Sequence, residues 1–138
     1  MSNSNQKIVD AFFASYGKND MAGIRNVVAD DAVWYFIGRH PLAGIKNGVQ
    51  EIAVFFDAMG KIMGSSNPTI EKLIVGENGD YFFECSHIKT NRPDGINVDH
   101  HVSVLWTIKD GKIVEGRHFF ADPVAIDEYF NDVVKGQE

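Results

Sequence analysis

The chain has 138 residues, 44% of them hydrophobic, and a formal net charge of −6. This length predicts one domain over residues 1–138, and the acidic balance without a basic run argues against nucleic-acid binding. No apolar run approaches the ~20 residues that a membrane helix needs. A single cysteine, Cys85, and a polar start, MSNSNQK, predict a cytoplasmic protein without an intramolecular disulfide.

Apolar residues that recur every three to four positions predict four helices. Gly17 is placed to end the first helix, and Asn19 or Asp20 can cap the second. The predicted helices cover residues 5–16, about 20–28, 48–63 and 123–134.

Between the helices the chain is rich in residues typical of strands. The segment AVWYFI is a short buried strand, and turn residues separate it from a small further strand. The strands of this part of the chain are predicted at residues 32–37, 42–45, 69–77 and 80–90.

The stretch DHHVSVLWTIKDGKIVEGRHFFADP, residues 99–123, predicts a long hairpin. Asp110-Gly111 is a strong hairpin-turn signal, because these residues tolerate positive φ. Val102, Val104, Trp106 and Ile108 alternate with more polar residues, so one face of this arm is expected to be buried. A slip of one residue would bury the polar set instead, at ~1–3 kcal/mol for each unsatisfied group.

The order of elements predicts an α+β fold, with helices laid over one face of a bent, mostly antiparallel sheet. The other face carries His101 and Leu105 among polar residues. A partly apolar outer face indicates a homodimer that packs sheet to sheet.

Several motifs resemble one family. The chain contains a helix that ends before Asn19-Asp20, then ADDAVW, a Pro-Leu-x-Gly turn, an aromatic helix, DGKIVEGRHFFADP and AIDEYF. Together these segments are similar to the SnoaL-like branch of the nuclear transport factor 2 (NTF2) superfamily. The resemblance extends from about Ile8 to Phe130. It implies an NTF2-like cone: a curved, mostly antiparallel sheet wrapped around three N-terminal helices, a short C-terminal helix, a deep apolar pocket and usually a homodimer.

The chemistry of the superfamily carries over only in part. By the resemblance, the three polar groups of the ketosteroid isomerases fall at Phe12, near Phe36 and near Val104, which are all apolar. No stretch matches the Asp-Arg-Asp set of the epoxide hydrolases. Asp122 approximately matches the acid/base Asp of the SnoaL-type cyclases.

The hairpin register places polar groups within an apolar cavity, the usual form of a small-molecule site. His118 and Asp122 are the candidate catalytic pair, although Asp122 could equally cap the last helix and His118 could be a core histidine. The candidate ligand-binding residues are Phe12, Tyr16, Trp34, Phe36, His40, Phe56, Met59, His100, Val102, Val104, Trp106 and Phe120. His100 and His118 are expected to face the same cavity as Trp106 and Phe120.

Other groups carry weaker signals. Glu84 lies in the strand YFFECSHI, and both faces of this strand are partly apolar, so the pattern does not assign Glu84 to one face. If Glu84 points inward it needs a partner, and Arg117 is a possible one. The five histidines lack metal-ligand spacing, and no metal or cofactor is expected.

Three classes of function are open. The first is a protein that binds a small hydrophobic molecule in a deep pocket without established chemistry. The alternative is an isomerase, polyketide cyclase or lyase that uses His118 and Asp122 as acid and base. A role in protein interaction is a third class, without a supporting feature beyond dimerisation. The residues that line the pocket discriminate between the first two.

Overall fold

The computed structural model describes residues 4–136, which form four helices and one six-stranded sheet. The helices are α1 (Ser4–Gly17), α2 (Met21–Val27), α3 (Gly48–Ser65) and α4 (Pro123–Gly136). The strands are β1 (Val28–Phe36), β2 (Gly44–Asn47), β3 (Thr69–Asn78), β4 (Tyr81–Lys89), β5 (Asp99–Lys109) and β6 (Lys112–Phe120).

The sheet has the strand order β2-β1-β6-β5-β4-β3 and stays open, with β2 and β3 at its edges. Every neighbouring pair is antiparallel except β1 and β6, which run parallel. The curved sheet wraps around the helices, so the predicted α+β, mostly antiparallel fold is confirmed.

The hairpin of β5 and β6 forms in the predicted register. Asp110 and Gly111 have φ values of 52° and 76°, the left-handed conformation that a tight hairpin turn uses. Val104 lies opposite His118, and Trp106 lies opposite Gly116. Trp106 and Ile108 are buried against the helices, as the alternation predicts.

Two boundaries differ from the prediction. β1 begins at Val28 rather than Ala32, because Val28 is buried and pairs with Ile113 of β6, so the strand follows directly on α2. β2 occupies residues 44–47 rather than 42–45, because Leu42 turns into the core before the strand begins.

The core lies between the helices and the concave face of the sheet. Its largest fully buried side chains include Trp34, Trp106, Phe12 and Phe36, and the Trp106 ring meets those of Trp34 and Phe12 edge to face. The ring centroids of Trp34 and Trp106 lie 4.9 Å apart. Such contacts add to the free energy gained from burying these large side chains.

Candidate functional site

A cavity of about 220 Å³ opens between α1, α3 and the concave face of the sheet, where β1 and β3 to β6 contribute to its wall. Its wall combines aromatic rings, two methionines and two polar side chains. The lining residues are Phe13, Tyr16, Trp34, Phe56, Met59, Gly60, Met63, Ile70, Glu84, Val104, Trp106 and His118. Trp34 and Trp106 are buried, while Phe13 and Ile70 are exposed, so these two exposed residues mark the mouth.

His118 is held by Trp34. The indole Nε1–H of Trp34 donates a hydrogen bond of 2.9 Å to Nδ1 of His118. An indole nitrogen can only donate, so Nδ1 accepts and the neutral imidazole carries its proton on Nε2. Burial among aromatic rings lowers the pKa of His118 to about 3, so the ring is uncharged at neutral pH.

Glu84 is held in the same way by the second tryptophan. The indole Nε1–H of Trp106 donates a hydrogen bond of 3.0 Å to Oε2 of Glu84. The side chain of Glu84 is only 12% exposed, and its Oε1 lies 3.5 Å from Nζ of Lys72, a half-exposed residue of the edge strand β3. Each tryptophan of the chain therefore orients one polar group of the cavity.

Strand pairing places these two polar groups on one line across the sheet. Glu84 lies opposite Val104, and Val104 lies opposite His118. Residues directly opposite one another point to the same face, and strands are spaced about 4.8 Å apart. The Cα atoms of Glu84 and His118 are thus about 10 Å apart, with the cavity over the row that joins them.

Arg117 is not the partner of Glu84, contrary to the possibility raised by the sequence. Arg117 points to the opposite face of the sheet, where its guanidinium lies 3.8 Å from the ring centroid of Tyr35 and bonds Glu115 at 3.0 Å. The face of Glu84 could have been read from its pairing with the hairpin, since Phe82 and Glu84 lie opposite Trp106 and Val104. The apolar pattern of YFFECSHI alone does not separate the two faces.

The structure brings many of the predicted ligand-binding residues together. Tyr16, Trp34, Phe56, Met59, Val104 and Trp106 line the cavity. Phe12 and Phe36 are fully buried behind this wall, where Phe12 packs on Phe56 and Trp106, and Phe36 packs on His118. Val102 shares the inner face with Val104 but does not border the cavity.

His100 does not share the cavity with His118, contrary to the prediction. It is buried next to Phe120, 5.9 Å between ring centroids, and neither ring nitrogen has a hydrogen-bond partner among the described residues. Phe120 borders a separate cleft with Tyr35, Ile37 and Pro123, which His118 also reaches. The prediction is wrong because the inner face extends past the cavity, and a shared face does not ensure a shared space.

His40 is also absent from the cavity. Its ring stacks on Phe130 of α4 with centroids 4.6 Å apart, and its Nδ1 accepts a hydrogen bond of 3.2 Å from the backbone of Leu42. Burial lowers the pKa of His40, while nearby Asp127 opposes that shift. His40 thus fastens the turn after β1 to the last helix.

Asp122 is exposed and takes the capping position of α4. Its Oδ1 accepts a hydrogen bond of 3.1 Å from the backbone N–H of Ala125, three residues on. This satisfies one of the free N–H groups at the start of the helix. Asp122 does not line the cavity, so the geometry does not pair it with His118 there.

The arrangement offers a ligand one acceptor and one donor in an apolar setting. The Glu84 carboxylate can accept hydrogen bonds or a proton, and His118 can donate through Nε2–H. Among residues 4–136, no three His, Cys, Asp or Glu side chains gather as a metal site would require. None of the described helices is both long and apolar enough to cross a membrane.

The chain belongs to the SnoaL-like domain family, whose sequence model matches residues 9–116. No curated protein matches the chain.

Solved structures with the same fold are numerous, and three illustrate the likeness. Bal32a, from a soil-derived mobile gene cassette, is 24% identical, with a TM-score of 0.75 over 93% of this chain and 97% of its own. An NTF2-like protein from Burkholderia xenovorans LB400 is 21% identical, with a TM-score of 0.72 over 95% and 98%. TerC, co-crystallized with polyporic acid, is 22% identical, with a TM-score of 0.70 over 92% and 98%. At these identities the likeness establishes the shared NTF2-like fold.

Proposed function

We propose that this protein binds a small hydrophobic molecule in the cavity between α1, α3 and the sheet. The observation that carries the proposal is an aromatic cavity with two polar groups, each oriented by a buried tryptophan. Binding sites for small molecules combine an apolar wall with a few fixed polar groups in this way. TerC, which has the same fold, was crystallized with a small molecule, polyporic acid.

The size of the cavity limits the ligand. A volume of about 220 Å³ lies below the ~300–1,000 Å³ of typical drug-sized sites. An apolar cavity of ~150 Å³ holds benzene. A molecule of one or two small rings therefore fits, whereas a larger ligand requires Phe13 or Ile70 to move at the mouth.

Filling the cavity tests this function. Val104→Phe places a ring between Glu84 and His118, where it should abolish binding of a one-ring probe such as p-cresol. Val54→Phe makes the same substitution on the exposed side of α3 and should leave binding unchanged. Titration calorimetry measures both. Equal binding by the two variants would place the ligand elsewhere and contradict the proposal.

The alternative function is proton transfer on a carbonyl compound, as in an isomerase, cyclase or lyase. Asp122 caps α4 outside the cavity, so Glu84 replaces it as the proposed base. Glu84 would take a proton from the carbon next to the carbonyl, and His118 Nε2–H would donate to the carbonyl oxygen. Phe12, Phe36 and Val104 supply none of the polar groups that the resemblance to ketosteroid isomerases places there.

Isotope exchange distinguishes the alternative from binding alone. If Glu84 is a base, small cyclic ketones such as cyclohexanone should exchange their α-hydrogens for deuterium faster with the protein than with buffer. Glu84→Gln should remove the acceleration while keeping the bond from Trp106. If a ketone binds but its exchange rate, measured by NMR, equals the rate in buffer, binding alone remains the proposed function.

We also propose that the convex face of the sheet forms a homodimer. Two adjacent rows on this face expose apolar side chains across β3 to β6. One row includes Ile74 and Phe119, which are 62% and 50% exposed, and the other includes Phe83 and the half-buried Leu105. Exposed apolar side chains gathered on one face are typical of protein interfaces.

A further inference from the structure

We propose that the ligand of the cavity is a small organic cation, an amine or quaternary ammonium group within an apolar frame. This inference rests on the proposed binding function and narrows the class of ligand. It follows from the combination of Glu84 with aromatic rings on several sides of a small cavity.

The first support is the charge inside the cavity. Glu84 is the one acidic side chain among the lining residues, and no Lys or Arg is among them. His118 accepts the Trp34 N–H, which favours its neutral form, so it adds no positive charge that would repel a cation. A buried carboxylate without an adequate partner is costly, and a bound cation would supply that partner.

The second support is the aromatic wall. Phe13, Tyr16, Trp34, Phe56 and Trp106 all line the same space. The faces of aromatic rings carry negative charge and attract cations, and cages of such rings recognise quaternary ammonium groups in other proteins. Neutral ligands also fit such a wall, so the aromatic rings favour a cation only together with Glu84.

The third support is the weakness of the ion pair between Lys72 and Glu84. Lys72 comes from the edge strand β3, its side chain is 52% exposed, and its Nζ is 3.5 Å from Oε1 of Glu84. The Lys72 side of this ion pair is open to solvent, where water and salt screen the ammonium and weaken the pair. The Lys72 ammonium can therefore withdraw into solvent and leave Oε1 to a cationic ligand.

Three probes of nearly equal shape and different charge test the inference. They are choline, 3,3-dimethylbutan-1-ol and 3,3-dimethylbutanoate, which share a head group of three methyls. Choline carries a positive charge on the nitrogen of that head, the alcohol is neutral, and the butanoate carries a negative charge on its carboxylate end. The two tryptophans of the chain both line the cavity, so their two indole N–H resonances in NMR spectra report binding there. We expect choline to bind at least about tenfold more tightly than the neutral alcohol, and the anion to bind most weakly.

Substitutions of Glu84 and of its counter-ion Lys72 should change choline binding in opposite directions. Glu84→Gln keeps an acceptor for Trp106 and should erase the preference for choline over the alcohol. Lys72→Gln removes the competing ammonium and should tighten choline binding several-fold. Glu71 is an exposed residue of the same edge strand and lies opposite His87 of β4. Glu71→Gln is therefore the matched control, and it should change neither the preference for choline nor its affinity.

The outcomes separate this inference from the proposed function. If the neutral alcohol binds as tightly as choline, or if Lys72→Gln weakens choline binding, the cation assignment is overturned while binding in the cavity stands. If none of the three probes shifts either indole resonance, both proposals are contradicted. Tighter binding of the anion would indicate a ligand that pairs with Lys72 instead.

Discussion

His118 combines two tasks in one ring. Its Nδ1 satisfies the buried N–H of Trp34, and its Nε2–H makes no hydrogen bond with another described residue. A ring held in this tautomer can polarise an acceptor on a ligand, but it cannot act as a base through the nitrogen that already carries a proton. The acid/base pairing expected from the sequence therefore changes to a donor, His118, and an acceptor, Glu84.

Two substitutions separate the tasks of His118. His118→Ala removes the acceptor of the Trp34 N–H and should lower the free energy of unfolding by about 1–3 kcal/mol. His118→Asn places an amide oxygen near the former Nδ1, so it should retain most of the stability. Both variants lose Nε2–H and should bind p-cresol more weakly. Urea unfolding and calorimetry measure the two effects; equal stability of both variants would contradict the role assigned to Nδ1.

At the scale of single elements, β6 shows why a small residue is needed beside the tryptophans. Gly116 lies opposite both Trp34 of β1 and Trp106 of β5. A Cβ at this position would overlap the six-membered ring of Trp34. The absence of a side chain at Gly116 thus leaves room for the Trp34 ring in the position from which its Nε1–H reaches His118.

Gly116→Ala should force the Trp34 ring away from its present position. Overpacking of this kind typically costs about 1–3 kcal/mol. The Trp34–His118 bond should also be disturbed, which the indole N–H resonance reports. Gly76→Ala is the matched control in β3, since open space surrounds that glycine. If both variants unfold at the same urea concentration, the close packing at Gly116 is not as described.

The elements also show how far the sequence determines the site. Asp110-Gly111 and the alternation around Trp106 fix the hairpin register, and that register correctly brings Val104, Trp106 and His118 to one face. Glu84 could not be assigned, because apolar residues occur on both faces of its strand; pairing with β5 settles it.

The limits of the cavity could not be predicted from any single strand. Phe120 and His100 lie on the same inner face as His118, yet they pack together beyond the end of the cavity. Where an inner face meets open space depends on how far α3 and α4 extend over it, and that is a property of the assembled fold. The same packing buries His40 under Phe130.

At the scale of the whole molecule, three buried or partly buried histidines make stability depend on pH. Burial is the main cause that lowers the pKa values of His40, His100 and His118, the last to about 3. The unfolded chain therefore binds more protons than the folded protein below pH ~6.5. The stability that depends on these neutral rings is complete above that pH and is lost as the pH falls toward the folded-state values.

We expect the free energy of unfolding to fall between pH 7.5 and pH 5. Each neutral histidine can contribute up to about 1.4 kcal/mol per pH unit below pH ~6.5. His118→Asn should therefore lose less stability over this interval, by up to about 2 kcal/mol. Urea unfolding at the two pH values measures the difference. Parallel profiles for the two proteins would show that His118 titrates alike in the folded and unfolded states.

The proposed dimer makes a separate prediction about assembly. Sedimentation at tens of micromolar, an ordinary concentration for stable assemblies, should give twice the chain mass. Phe119→Lys adds a charge to the convex face and should give monomers, because an unpaired charge in an interface is strongly unfavourable. Val124→Lys, a matched change of an exposed apolar residue on α4, should leave the dimer intact. A monomeric unmodified protein would contradict the proposed interface.

We expect the cavity between α1, α3 and the sheet to receive a small molecule. A crystal soaked with iodobenzene tests it directly, because the anomalous signal of iodine locates the probe. We expect one strong peak within about 4 Å of Trp34 or Trp106, the distance of van der Waals contact. Iodine bound only at other positions, or a cavity closed by inward movement of Phe13 and Met59, would contradict the claim.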